Sequence, residues 1–341
     1  MNTKKLFEQL IEKQHLTAEQ MRDIMQACMK GELQDAQIAA FLALMRMKGE
    51  TVDELTTAAQ VMMEFAHCID LGGGLIDIVG TGGDGKNTFN VSTLSSVVAA
   101  AAGARVAKHG NRSVSSSSGS SDLLMQAGFN LTLTDEELKT CMQQLGLCFL
   151  FAPHFHQALQ HVRNARQQLG IRSFFNLLGP LVNPARVKRQ VVGVYAEHLL
   201  RPVAEVLVNL GSERALVIHA RDGLDELSIS AVADVVEYRD GQFKQWALDP
   251  ADYGVAHPSL QAILVNSPAE SLKRIEQVLA GEKGPARDII LLNTAAALYC
   301  SDTAKGIPEG LALAAEAIDS GKAQQHFYQL RDLTQQFGPH S

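Results

Sequence analysis

At Leu75 the sequence changes period, and that change limits the chain to a helical lobe followed by an α/β body. Before it, apolar residues recur at helical spacing. Thr17-Ala-Glu-Gln20 forms a capping box ahead of Met21, Ile24, Met25, Cys28 and Met29, and the stretch from Ile38 to Met45 is helical as well. Thr51-Val-Asp-Glu54 opens a further helix carrying Leu55, Ala58, Ala59, Met62 and Phe65, so helices are expected up to about Ile69. A methionine stripe at this spacing reads as packing, with an outer apolar face available for dimerisation. From Leu75 onward, short apolar runs alternate with helical segments: Leu75 to Val79, Arg105 to Ala107, Leu147 to Phe151, Val191 to Tyr195 and Ala215 to His219. That alternation predicts a largely parallel sheet. Pro202 and Gly211 bracket one crossover helix, and Ser267-Pro-Ala-Glu270 starts another. Asp240-Gly241, between Val235-Val-Glu-Tyr238 and Gln242-Phe-Lys-Gln-Trp246, predicts an antiparallel hairpin.

A chain of 341 residues has room for one large and one small domain. Thirty basic against thirty-seven acidic residues give a net charge of -7, which excludes nucleic-acid binding through bulk positive charge, so any anion site must be local. Five cysteines without C-x-x-C spacing suggest neither a disulfide framework nor a zinc site and predict a cytoplasmic setting. Met1-Asn-Thr-Lys-Lys5 runs straight into an amphipathic helix and lacks the apolar core of a signal peptide; no uncharged apolar run reaches membrane-spanning length.

The run Leu75 to Val79 feeds Gly80-Thr-Gly-Gly-Asp-Gly85-Lys-Asn-Thr-Phe-Asn-Val-Ser-Thr93, after which Leu94, Val97, Val98 and Ala101 keep helical spacing. Glycines let the backbone approach an anion, and the helix amino terminus adds its positive dipole end, so phosphate is the expected ligand. The letters also satisfy G-x-G-x-x-G at Gly80, Gly82 and Gly85, but the loop is long and the next strand ends at Lys108 where a dinucleotide fold needs an acid. A P-loop needs Ser or Thr after Lys86, and Asn87 stands there.

A second loop, Val106-Ala-Lys-His-Gly-Asn-Arg-Ser-Val-Ser-Ser116 followed by Ser117-Ser-Gly-Ser-Ser-Asp122, is placed at the same carboxyl edge of the sheet by a neighbouring parallel strand. A serine run alone reads as a linker; with Lys108 and Arg112 before it and the glycine loop beside it, it reads as a hydroxyl lattice for a phosphate ester. Third, Ala215-Leu-Val-Ile-His-Ala-Arg-Asp-Gly-Leu-Asp-Glu226 ends in two adjacent carboxylates beyond a buried strand. Beside phosphate loops, Asp225 and Glu226 suit hydrated Mg2+, which leans on one or two acids plus substrate oxygens.

These motifs, with Gly119-Ser-Ser-Asp122, Arg172-Ser-Phe-Phe-Asn-Leu-Leu-Gly-Pro-Leu-Val-Asn-Pro184 and Asn293-Thr-Ala-Ala-Ala-Leu-Tyr299, stand in an order that resembles the anthranilate phosphoribosyltransferase family over nearly the whole chain. The resemblance implies a nucleoside phosphorylase/phosphoribosyltransferase-like fold: a small all-α domain over 1–70, rejoined by a later segment near 177–190, and a large α/β domain over 71–341 with a mostly parallel central sheet. It implies homodimers through the helical domain, Mg2+, and 5-phosphoribosyl-1-diphosphate and anthranilate as substrates of a tryptophan-forming pathway, with neither nucleic acid nor membrane as partner. Carried over by position, it implies substrate contacts from Gly80, Gly82, Gly83, Asp84, Thr88, Asn90, Val91, Ser92, Thr93, Lys108, His109, Gly110, Asn111, Arg112, Ser113, Val114, Ser115, Ser116, Ser120 and Arg166. Lys108, Asn111 and Arg166 would carry catalysis, Asn111 and Arg166 on the anthranilate side, while Ser92, Asp225 and Glu226 lie on the metal side. Ser121, Met125, Gln157 and Asn164 depart from the family pattern beside the site, and His154, His156 and His161 keep no zinc spacing.

Anthranilate's amine is a neutral nucleophile, so displacement of diphosphate needs electrostatics more than an acid or a covalent intermediate, and no general base is assigned. A pyrimidine nucleoside phosphorylase would bind phosphate in similar loops with a different signature after the second strand. A nucleic-acid-binding relative of the same fold would carry a basic face and degraded loops.

Overall fold

The computed structural model describes residues 2–112 and 118–338. Four helices open the chain, Thr3–Ile11, Ala18–Met29, Asp35–Lys48 and Val52–Glu64. Both sequence capping boxes form: Thr17 accepts from Gln20 N–H, and Thr51 from Glu54 N–H, with each partner side chain returning the bond. The expected helical run to about Ile69 stops at Glu64. From there an extended link is tied elsewhere, His67 N–H donating to Phe155 O at 2.8 Å and Ile69 N–H to Pro184 O at 3.1 Å. Those bonds satisfy backbone groups that a continuing helix would have satisfied itself.

Seven strands make one sheet: β1 (Leu75–Gly80), β2 (Arg105–Gly110), β3 (Leu147–Phe151), β4 (Arg189–Gly193), β5 (Arg214–Ala220), β6 (Ala233–Arg239) and β7 (Gln242–Leu248). Their order is β3-β2-β1-β4-β5-β6-β7, parallel from β3 to β5 and antiparallel at β6 and β7. The hairpin turns at Asp240 (φ 52) and Gly241 (φ 79), the two left-handed residues of a tight turn. β4 starts and ends two residues before the expected Val191 to Tyr195, because Gly193 is its last paired residue, opposite Gly80. The chain leaves β1 towards β2 on one side, and β4 lies on the other. The carboxyl ends of β1 and β4 therefore flank the switch point of the sheet, where open α/β sheets leave a crevice.

Two cores cover the two faces of the sheet. One packs the helices Val91–Ala101 and Pro285–Cys300 through residues such as Val97, Val98, Ile290 and Leu298. The other joins the four opening helices to Val192 and Val217 of the sheet, and to Val194 just past β4, through Val203, Val206 and Leu207 of the helix Leu200–Asn209. Residues on both sides of the expected rejoining segment near 177–190 also pack into the helical core. Val162, Ala165, Phe174, Leu178 and Val182 share the helical core, whereas Ala185 and Val187 belong to the other. Inside the lobe, Glu54 caps its helix, accepts from Leu16 N–H at 2.8 Å and pairs with Lys48 Nζ at 2.8 Å, with both side chains almost wholly buried.

Candidate active site

The glycine loop leaves β1 beside Gly193, and both strand-end glycines are there for space. A Cβ on Gly193 would lie 1.5 Å from the Asp225 carbonyl oxygen, and one on Gly80 would lie 2.4 Å from Asp225 Oδ2. Two paired strand ends without side chains thus let the turn after β5 fold over the switch point. Asp225 Oδ2 accepts from Gly82 N–H at 2.7 Å, and Glu226 Oε1 accepts from Ser92 N–H at 3.0 Å. The second acceptor sits on the first turn of the helix Val91–Ala101, where a carboxylate is favoured by the helix dipole. The Gly82 amide, expected from the sequence to point at a phosphate, here holds the chain's own carboxylate. Gly82 (φ 67), Gly83 (φ 74) and Gly85 (φ 74) are all left-handed, the conformation that requires glycine.

Electrostatics at this turn are unfavourable without a cation. Burial, then Asp84, pushes the Asp225 carboxyl up to about 7; burial, then Asp225 and Asp84, raises Glu226 well above the carboxylate range. Like charges held together in low dielectric bind protons or a metal. The oxygens offered, the Asp84, Asp225 and Glu226 carboxylates with the Ser92 hydroxyl, are a hard donor set of the kind Mg2+ takes. Among the described residues no group of three His, Cys, Asp or Glu side chains is placed to hold a metal by itself.

β2 supplies the cation. Lys108 Nζ is buried, donates to Ile78 O at 2.6 Å and reaches Ser92 Oγ at 3.4 Å. Burial pulls its pKa down, while Asp77 and then Glu226 oppose that. His109 is also buried. Burial, then its neighbour His156, presses it down to about 3, leaving a neutral imidazole whose Nε2 has no hydrogen-bond partner among the described residues. The Thr93 hydroxyl, at the start of the glycine-loop helix, is buried and unpartnered in the same sense.

The other expected positions fall into distinct roles. Asn90 is fully engaged: its Nδ2 donates to Ser118 O, and its Oδ1 accepts from Ser118 and Ser271 hydroxyls at 2.8 and 2.7 Å, so it fastens the end of the serine run to the glycine loop. Thr88 forms a bridge to Leu264, and Val91 is buried in the core. Gly110 lets Ser120 approach, since a Cβ there would lie 2.4 Å from Ser120 Oγ, and that hydroxyl donates to Asn111 O. Asn111 is exposed at the end of β2, its Oδ1 accepting from Arg112 N–H. Arg112 lies over the Phe151 ring at 5.9 Å and reaches Met125 Sδ, one of the departing positions. Ser113, Val114, Ser115 and Ser116 lie outside the described residues. Arg166 comes from the rejoining segment, in the last turn of the helix Gln160–Leu169. It is half-buried over the Phe175 ring at 5.1 Å, and no carboxylate pairs with it among the described residues. Of the three histidines without zinc spacing, His156 is buried and bonds Val182 O, while His161 is exposed.

Four nearby residues were given no site role from sequence: Gly193, Asp77, and Asn183 and Arg172 of the Arg172 to Pro184 motif. Asp77 is fully buried in β1, accepting from His109 N–H and from Asn183 Nδ2. Arg172 stacks on Tyr195 at 4.9 Å and lies 3.0 Å from where a Gly83 Cβ would stand. A glycine closing a strand that pairs with the β1 terminus was the one sequence signal available for Gly193.

Residues 72–324 match the family model described as the a/b domain of a glycosyl transferase family, and residues 4–66 match that of its helical bundle domain. An anthranilate phosphoribosyltransferase of Legionella pneumophila (strain Paris) is 63% identical over 335 residues, covering 98% of this chain and 97% of the relative. One of Hydrogenovibrio crunogenus is 48% identical over 339 residues, covering 99% of this chain and 100% of the relative. The crystal structure of the Thermus thermophilus enzyme superposes with a TM-score of 0.90 at 38% identity, covering 98% of this chain and 99% of that one. The Saccharomyces cerevisiae enzyme in complex with PRPP and Mg superposes with a TM-score of 0.89 at 26% identity, covering 98% of each chain.

Proposed function

We propose that this chain, which belongs to the anthranilate phosphoribosyltransferase family, transfers the phosphoribosyl group of 5-phosphoribosyl-1-diphosphate to the amine of anthranilate with release of diphosphate. The observation that carries the reading is the turn at Asp225 and Glu226, one buried and one half-buried carboxylate seated on the Gly82 and Ser92 amides, with the Lys108 ammonium reaching Ser92 Oγ. That arrangement serves a substrate that brings both phosphate and a divalent cation. The phosphorylase and nucleic-acid alternatives are not favoured by the family membership.

In this reading Gly83, Asp84, Ser92 and Thr93 orient the diphosphate end, and the buried Thr93 hydroxyl is a donor for it. Lys108, held in place by Ile78 O, takes up charge growing on the leaving group. Asp225, Glu226 and Ser92 would hold Mg2+, which when bound neutralises the diphosphate oxygens. The neutral His109 and Asn111 face the acceptor side, and Arg166 offers a guanidinium fork to the anthranilate carboxylate. Approach of the helical lobe to the sheet edge aligns amine and anomeric carbon and excludes water. The enzyme is cytoplasmic in this reading, and among the described residues no helix is long and apolar enough to cross a membrane. It is also a homodimer through the helical lobe, where Ile11 (64% exposed) and Met47 (73% exposed) leave apolar surface uncovered.

Loss of anthranilate fluorescence that requires both phosphoribosyl diphosphate and Mg2+ is the expected result. Phosphorolysis of thymidine or uridine without anthranilate consumption would overturn the assignment. Light scattering of the eluting peak tests the dimer, and a monomer at micromolar concentration would remove it.

A further inference from the structure

A carboxylate between Ile76 and Ile78 in a central strand is costly, because burial of an ionised group has to be offset by several good partners. Asp77 is 0% exposed, and its partners come from two other parts of the chain. Oδ1 accepts from the backbone N–H of His109 at 3.3 Å; Oδ2 accepts from Asn183 Nδ2 at 2.8 Å. Asn183 is itself 4% exposed and has every group engaged, since Nδ2 also donates to Ala107 O at 2.8 Å and Oδ1 accepts from Ala185 N–H at 2.9 Å. Around this node the segments crossing between the lobes meet. Pro184 O accepts from Ile69 N–H, and Val182 O is bonded by the His156 ring, which lies 5.2 Å from the ring of His109.

We propose that Asp77 is a positioning residue for the acceptor half of the reaction: through Asn183 it sets the rejoining segment, and through the His109 amide it sets the end of β2, in one fixed relation. The inference rests on the transferase reading of the site. Neither residue touches the glycine loop, whose geometry is held by Asp225, Glu226 and Ser271. The hydrogen bonds of the node run only to the acceptor side; towards the diphosphate side Asp77 acts through its charge on Lys108, so Asn183→Ala, which keeps that charge, isolates the acceptor side. Asparagine cannot replace it, because both oxygens of Asp77 accept from N–H donors and an amide would place one donor against another.

The test is steady-state kinetics of Asp77→Asn and Asn183→Ala in the full-length protein, each substrate varied at saturation of the other, together with thermal unfolding. The expected result for Asn183→Ala is an anthranilate KM raised by about tenfold or more, with the phosphoribosyl diphosphate KM within about twofold of wild type; Asp77→Asn should raise the anthranilate KM as well and, by removing the charge beside Lys108, also lower turnover. A purely structural role would lower the melting temperature and the active fraction while leaving both KM values unchanged, and that outcome would overturn the proposal, as would an equal rise in both. Should Asp77→Asn not fold, Asn183→Ala decides alone. Asn183 borders a cavity of about 310 Å3 between the helices Ala18–Met29 and Val52–Glu64 and the start of β4, and its truncation leaves the Asp77 charge and the strand pairing in place. If wild-type protein itself consumes no anthranilate, the transferase reading fails first; if it does and both variants keep wild-type KM values, only the positioning role fails.

Discussion

Replacing Gly193 by alanine isolates what the paired strand-end glycines do. Gly193 is not in the left-handed region, so alanine brings no backbone strain there, only a methyl group. That methyl would start 1.5 Å from the Asp225 carbonyl oxygen, and Cβ atoms essentially never come within 3.0 Å of such a neighbour, so the turn must retreat by about 1.5 Å. A retreat of that size breaks the 2.7 Å bond from Gly82 N–H to Asp225 and carries Glu226 off Ser92 N–H. Stability should fall by about 1–3 kcal/mol, the usual cost of overpacking, and turnover by about 100-fold, because carboxylates whose productive position tolerates only a fraction of an ångström are displaced by more than about 1 Å. Thermal unfolding followed by circular dichroism, and an Mg2+ titration of the fluorescence assay, read the two effects separately. Gly73→Ala, where a Cβ meets nothing within 4 Å, is the silent control. Wild-type Mg2+ dependence and melting temperature in Gly193→Ala would refute the claim that these glycines make room for the carboxylate turn.

Asp225→Asn combined with Glu226→Gln should raise the Mg2+ concentration needed for half-maximal turnover, with the largest loss at low Mg2+; an unchanged titration would make the pair bystanders. Arg166→Ala should raise the anthranilate KM by about 1.5–3 kcal/mol in free-energy terms and leave phosphoribosyl diphosphate nearly unaffected, with Arg166→Lys recovering part, and equal losses for both substrates would assign Arg166 to the fold instead. Glu54→Ala leaves the buried Lys48 ammonium unpaired and removes the acceptor of Leu16 N–H, so it should cost about 3–5 kcal/mol in urea unfolding; a shift below about 1 kcal/mol would show that water reaches the pair.

Much of this protein was legible in order along the chain. The capping boxes at Thr17 and Thr51, the Asp240-Gly241 turn and the glycine loop after β1 are local features, fixed by spacings of a few residues and by backbone preferences that neighbours alone decide. The net charge of -7 argued against nucleic-acid binding through bulk positive charge, and the ordered motifs led to the family. Contacts between residues far apart in sequence were not legible. Nothing local marks Gly193 as a neighbour of Asp225, or makes Asp77 more than a polar interruption in an apolar strand, until β4 is laid beside β1 and Asn183 is brought under β2. The same holds for the Gly82 amide, which the loop pattern offers to a phosphate and which the turn after β5 fills with a carboxylate. The sequence by itself determined which elements form and which chemical groups the carboxyl edge of the sheet can offer, because helix caps, turns and periodicity act over one or two turns of chain. Only the tertiary structure decided which of those groups are buried, charged or paired, because desolvation and Coulomb interactions depend on distances that only the strand order and the lobe packing set.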